Sequence, residues 1–380
     1  MTKNNEHNKL NVPNLRFPEF QGEWKNTTIG EIATIKNGPF GSVLHAEDYV
    51  DEGMPIVTTE HFKSGNLPLS KNGIPQVSED DYCRLKGYML ETDDIVFSRV
   101  GSVDINAHVE HVQQGWLFSG RVLRVRPIKS VNSLCLHYVL STESVKRDIR
   151  NRAVGQTMPS INTPILSNTG IYMSQSEAEQ KKIADLLSLI DERISTQNKI
   201  IEDLKKLKSA IIEKLYSEIQ GKEYSYRQLF DVVNERNKQM EYSNILSASQ
   251  EKGMINRDDL NLDIQFERSN INTYKIVRAG DYVIHLRSFQ GGFAFSDKSG
   301  VCSPAYTILR PNSFLEYSYL SNYFTSQRFI KSLIIVTYGI RDGRSINVDE
   351  WLSMKITIPS KEHQQYIVKI IGCPVLCSCF

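Results

Sequence analysis

A series of short motifs in residues 93–162 recurs in the same order in residues 280–347, and this repetition constrains the architecture before any single element is placed. Asp93-Asp94-Ile95-Val96-Phe97-Ser98-Arg99 is answered by Gly280-Asp281-Tyr282-Val283-Ile284-His285-Leu286-Arg287. Leu123-Arg124-Val125-Arg126-Pro127 is answered by Thr307-Ile308-Leu309-Arg310-Pro311, and Ser160-Ile161-Asn162 by Ser345-Ile346-Asn347 at an offset of 185 residues. A chain of 380 residues has room for two or three domains. Two copies of one folding unit plus a connecting element fill it.

The punctuation of the chain gives the boundaries. Residues 1–22 are polar at first, then Pro-marked, and are expected to form a flexible leader. Residues 23–175 alternate short β-forming runs with Gly, Pro and Asp turn signals, with a helical period from about Ser133 to Asn151, so an α+β domain is expected. Residues 221–360 carry the same punctuation. Residues 176–220 between them are different in kind. Ile183, Leu187, Ile190, Ile194, Gln197, Ile201, Leu204, Lys208, Ile211 and Leu215 alternate spacings of four and three, and eight of these ten are apolar. That is the seam of a coiled-coil-type helix. Leu186, Leu189, Ile200, Leu207 and Ile212 widen it. Forty residues at 1.5 Å each reach about 60 Å, which suits a strut or a pairing element.

Composition narrows the functional class. Hydrophobic content of 40% and charged content of 23% describe an ordinary soluble globular protein, and no run approaches the roughly 18 apolar residues of a membrane span. No apolar leader follows Met1, so a cytoplasmic location is expected. Cys83, Cys135 and Cys302 are isolated and read as reduced structural residues; Cys373, Cys377 and Cys379 fall short of a zinc site's four ligands. The net charge is only +1, yet residues 121–152 hold eight basic residues against Glu143 and Asp148. Such clustering suits a face that meets phosphates, and equally a solvated surface. Phosphate loops, dinucleotide-binding glycine motifs, nucleophile elbows and zinc-binding His pairs are all missing from the sequence. No cofactor or catalytic residue is expected.

The leader Asn14-Leu15-Arg16-Phe17-Pro18-Glu19-Phe20-Gln21-Gly22-Glu23-Trp24 ahead of Ile29-Gly30-Glu31-Ile32 resembles the start of a type I restriction-modification specificity subunit. Gly155-Gln156-Thr157-Met158-Pro159-Ser160-Ile161-Asn162 and the helix opening Glu179-Gln180-Lys181-Lys182-Ile183-Ala184 resemble that family as well. The resemblance covers residues 14 to about 370. It implies two target-recognition domains (23–175 and 221–360), each reading one half of a split, asymmetric site in double-stranded DNA. It also implies that the long helix docks methyltransferase (modification) subunits, through Ile183, Leu187, Ile190, Ile194, Ile201, Leu204, Ile211 and Leu215. Restriction subunits would join through those partners, which would also supply the catalysis.

Major-groove reading favours Arg on guanine and Asn or Gln on adenine, presented from loops. The candidates are Ser98, Arg99, Ser102, Arg121, Arg152 and Gln156 in the first domain. In the second they are Arg287, Ser288, Gln290, Tyr338, Arg341 and Arg344. Each Arg can equally serve an ion pair or a phosphate. The second spacer helix opens at Ser360-Lys361-Glu362-His363-Gln364, but Gly372 and Pro374 break its pattern. Residues 361–380 are therefore expected to hold a truncated helix start and an aberrant tail, with the second helix largely missing. The first helix would then self-associate through its seam or hold its partners poorly. A coiled-coil scaffold, or a disabled specificity subunit without DNA-reading activity, is the alternative.

Overall fold

The computed structural model describes residues 12–39, 48–249, 252–259, 268–285, 292–338 and 345–372. The chain divides into two compact units, Met1–Ser195 and Thr196–Phe380. Each is a mixture of helix and strand, and the division falls inside the helix Glu177–Ser217 because each end of that helix packs on its own unit.

In the first unit a four-stranded antiparallel sheet runs Ala33–Asn37, Val122–Pro127, Ile95–Ser98, Asn106–His108. The strand Ile95–Ser98 is buried at every position, which its unbroken apolar run requires. Strand Lys25–Thr28 pairs with Gly170–Met173. The helical pattern from Ser133 resolves into two helices, Ser133–Leu140 and Glu143–Arg152, because Ser141 and Thr142 close the first and lead into the second. The second unit repeats the frame. Its sheet runs Phe230–Val233, Thr307–Pro311, Tyr282–Ile284, Phe293–Phe295, and Lys222–Ser225 pairs with Lys355–Ile358. Its core is aromatic: Trp351 is fully buried and stacks on Tyr226 at 4.3 Å.

The repeated motifs make the same contacts in both units. Asp94, 1% exposed, accepts from Arg126 Nε at 2.6 Å, Arg126 Nη2 at 2.8 Å and the Glu91 amide at 2.8 Å. Asp281, 2% exposed, accepts from Arg310 Nε and Nη2 at 3.0 Å each and from the Arg278 amide at 2.8 Å. A buried carboxylate is tolerated only with this kind of bidentate partner. Asn162 and Asn347 cap the short helices Thr163–Ser167 and Val348–Ser353. Gln180 accepts from the Asn132 amide at 2.8 Å, and Gln364 accepts from the Glu316 amide at 2.7 Å, each tying a helix opening to its own frame.

What is inserted into the two frames differs. The first carries a sheet of Tyr49–Val50, Gln76–Val77, Met54–Val57 and Leu117–Phe118, the last pair parallel. The second carries Leu246–Ser249 against Gly253–Asn256, and Lys275–Val277 against Gly300–Cys302.

Residues 12–22, expected to be part of a flexible leader, are instead fastened together with Trp24 to the start of the long helix. Arg16 grips the buried Glu179 through Nε at 2.7 Å and Nη2 at 2.8 Å, and Trp24 Nε1 donates to it at 3.4 Å. The Lys182 ammonium lies 4.6 Å from the centre of the Phe17 ring. The repeat pattern of residues 361–372 folds as helix Lys361–Ile371, whose Ile367 and Ile371 join the second core together with Ile212 and Tyr216. The tail from Cys373 lies outside the described residues.

One buried group makes the first unit sensitive to acid. His137, on helix Ser133–Leu140, has Nδ1 2.7 Å from Asn106 Oδ1, and burial pushes its imidazole down to about 4. Unfolded, the same imidazole takes up a proton near pH 6.5. Its contribution is therefore complete above about pH 6.5 and is lost as pH falls towards 4. Urea unfolding of the first unit at pH 7 and pH 4.5 should show that loss, and His137→Gln should remove this part of the pH dependence.

Candidate nucleic-acid interface

The strand end at Ile95–Ser98, the turn before Val122 and the first insert meet at one cleft of about 460 Å³, lined in part by Arg99, Arg121, Ser119, Thr58, Thr59 and Glu60. Arg99 Nη1 donates to the Gly120 carbonyl at 3.1 Å, and its amide bonds to the Arg121 carbonyl at 3.0 Å. At Gly120 a Cβ would sit 2.2 Å from the Pro39 carbonyl oxygen, so only glycine lets the chains cross there. Arg121 is exposed and has no ion pair among the described residues. Two of the candidate arginines thus share one concavity.

Beside them stands the hairpin carrying Gln156. Val154 and Ser160 exchange backbone hydrogen bonds at 2.9 and 2.8 Å. The Gly101 amide reaches Pro159 at 2.8 Å, and the Ile161 amide reaches the Arg99 carbonyl at 2.9 Å. Gln156 and Ser102 are both exposed on this clamped pair of loops. Gly155 has φ +98°, and a Cβ there would lie 2.7 Å from the Met158 carbonyl oxygen. Gly155→Ala is expected to destabilise the hairpin by about 1–3 kcal/mol, seen as faster amide exchange at Val154 and Ser160 with the core unchanged.

Other candidates sit elsewhere. Ser98 is 2% exposed, with its hydroxyl donating to the Val100 carbonyl at 3.4 Å, so it lies beneath this surface and not on it. Arg152, at the end of its helix, pairs with Asp148 at 2.9 Å. The basic run 121–152 is neutralised in part: Arg126 is held by Asp94 and Glu91, and Arg150 by Asp104 and Glu143. In the second unit Arg287, Ser288, Gln290, Arg341 and Arg344 lie outside the described residues, as does the side chain of Tyr338. The backbone flanking them is described: Thr337–Tyr338 pairs with Ser345–Ile346, and the His285 amide bonds to the Gly292 carbonyl at 2.7 Å.

Sequence reasoning missed Thr58, Thr59, Glu60 and Ser119, which lie in or beside an insert that has no counterpart in the second copy and so left no repeated signal to read.

The long helix presents a second surface. Leu186, Leu189, Ile190 and Ile194 are 45–65% exposed within the first unit, and Ile200, Ile201 and Leu207 are 41–53% exposed within the second. Of the remaining seam positions, Ile183 and Leu187 are half-buried near the helix start, and Leu204, Ile211 and Leu215 towards its end. Ile183 packs on the first core and Leu215 on the second. Among the described residues no cluster of His, Cys, Asp and Glu could hold a metal ion, and no helix is long and apolar enough to cross a membrane.

A duplicated frame with unlike inserts, joined in sequence by a long helix with an exposed apolar stripe, is the plan of a type I restriction-modification specificity subunit. The chain belongs to the family of the type I restriction modification DNA specificity domain, whose model matches residues 21–206 and 221–372. It is 25% identical to the "Putative type I restriction enzyme MjaX specificity subunit" of Methanocaldococcus jannaschii, over 94% of this chain and 88% of that protein. It is 26% identical to the type I restriction enzyme MjaVIII specificity subunit of the same organism, over 56% of this chain and 45% of that one. Its fold is similar to the crystal structure of the type I restriction-modification system S subunit from M. genitalium. That match has a TM-score of 0.56 at 15% identity, covering 94% of this chain and 90% of that one.

Proposed function

We propose that this chain is the non-catalytic DNA-recognition subunit of a type I restriction-modification complex, each unit reading one half of a bipartite, asymmetric site. The observation that carries this reading is the pairing of one repeated frame with two different inserts: a common scaffold presents two unlike surfaces, as two unlike half-sites require. The first unit reads through the end of its sheet, where Arg99, Arg121, Ser102 and the Gln156 hairpin gather. The second reads through Arg287, Ser288, Gln290, Tyr338, Arg341 and Arg344. Modification subunits dock on the exposed stripe of the long helix, and restriction subunits join through them. The same stripe is where a second copy of the chain would associate when modification subunits are absent.

The test is DNA binding by the chain co-expressed with its modification subunits. Specific affinity should fall steeply with salt, by about 0.9 logarithmic unit per logarithmic unit of salt for each phosphate engaged. Arg121→Ala should weaken binding at least several-fold. Salt-independent or absent binding would leave a scaffold without a DNA role.

A further inference from the structure

We infer that the first unit reads a cytosine–guanine pair with Glu60 and Arg121 acting together, which makes the turn at Thr58–Glu60 a specificity-determining element. The inference rests on the DNA-recognition reading above and adds a partner chemistry to it. Phosphates repel a carboxylate, whereas a base edge with an amino donor can accept one, so an exposed acid in a cleft that faces DNA suits a base contact and not a backbone one. In the major groove cytosine offers an N4 amino donor, which a carboxylate accepts, and guanine offers O6 and N7, which an arginine fork binds. Glu60 and Arg121 line the same cleft and carry those two complementary chemistries.

The turn that carries Glu60 is held in place. Val57 and Phe62 on either side of it are fully buried. Thr58 and His61 cap the turn reciprocally, with the Thr58 amide donating to His61 Nδ1 at 3.1 Å. Val57 is paired with Phe118, and its carbonyl accepts from the Ser119 amide at 2.8 Å. The turn is therefore tied directly to the start of the Ser119–Arg121 segment, and fixed mutual placement of this kind is what base reading needs. Glu60 pairs with Lys63 at 2.5 Å on the open surface, with both side chains at least 60% exposed. That pair is easily exchanged for a base amino group.

The experiment uses the full chain in complex with its modification subunits. The methylated motif of the unaltered complex is mapped first, and a duplex containing it is then synthesised with single base changes. Glu60→Gln is expected to lose about tenfold discrimination at one C·G pair of one half-site and none at the other half-site. Replacing the guanine of that pair by 7-deazaguanine, which lacks the N7 acceptor, should cost the unaltered complex about tenfold and cost Arg121→Ala nothing further. Glu60→Gln should leave the melting temperature unchanged, since the side chain is exposed. An unchanged motif with Glu60→Gln, or a loss of affinity uniform across sequences, overturns the inference while leaving the DNA-recognition reading intact. A complex that methylates no split motif removes that reading and this inference with it.

Discussion

Replacing Ile194 and Ile201 together with Asp is expected to abolish retention of the modification subunits while both α+β units stay folded. The two residues are seven apart, hence on one face of the helix, and are 53% and 41% exposed. Neither belongs to a hydrophobic core cluster, so the substitution removes nothing that either core uses. In an assembled interface, however, two carboxylates would be stripped of water against an apolar partner, at a cost of several kcal/mol. At about 1.4 kcal/mol per decade, affinity should fall by two orders of magnitude or more. Co-purification and calorimetry read the binding, and circular dichroism reads the fold. A variant that still holds its partners would move the docking surface elsewhere on the chain.

The second large effect concerns the repeated ion pair. Arg126→Met should destabilise the first unit by about 3–5 kcal/mol, and Arg310→Met the second by a comparable amount, because each leaves a buried aspartate without its cation. Asp94 and Asp281 keep one backbone amide each, from Glu91 and Arg278, which is too little to hold a desolvated charge. Denaturant unfolding of each variant should show one transition moved and the other in place. Losses below about 1 kcal/mol in both would mean that these pairs are spectators and that the shared motifs owe their repetition to something else.

Much of this organisation was legible in the sequence because repetition and heptads are periodic signals. The positions matched across the copies, Asp94 with Asp281, Arg126 with Arg310, Asn162 with Asn347, turn out to be those with the same hydrogen-bond partners in both units. The helix Glu177–Ser217 was legible for the same reason. Charge was less so. Arg150 looked available in the basic run, but its partner Asp104 lies 46 residues away in sequence, and no local pattern announces such a pair. Ser98 sat beside Arg99 in the motif, yet it is the last residue of a strand buried at every position, and Arg99 lies just beyond it. Over residues 12–22 the leader was misjudged from its Pro and Asn content, since the anchor, Glu179, lies 163 residues from Arg16. Glu60 was invisible because the insert has no counterpart to be compared with.

The measurement that bears most directly on the whole account is the position of every methylated adenine in DNA exposed to the complex of this chain with its modification subunits. Two unlike half-sites separated by a spacer of fixed length are expected, one for each frame and its insert. A continuous motif, a symmetric one, or methylation without sequence preference would contradict the account.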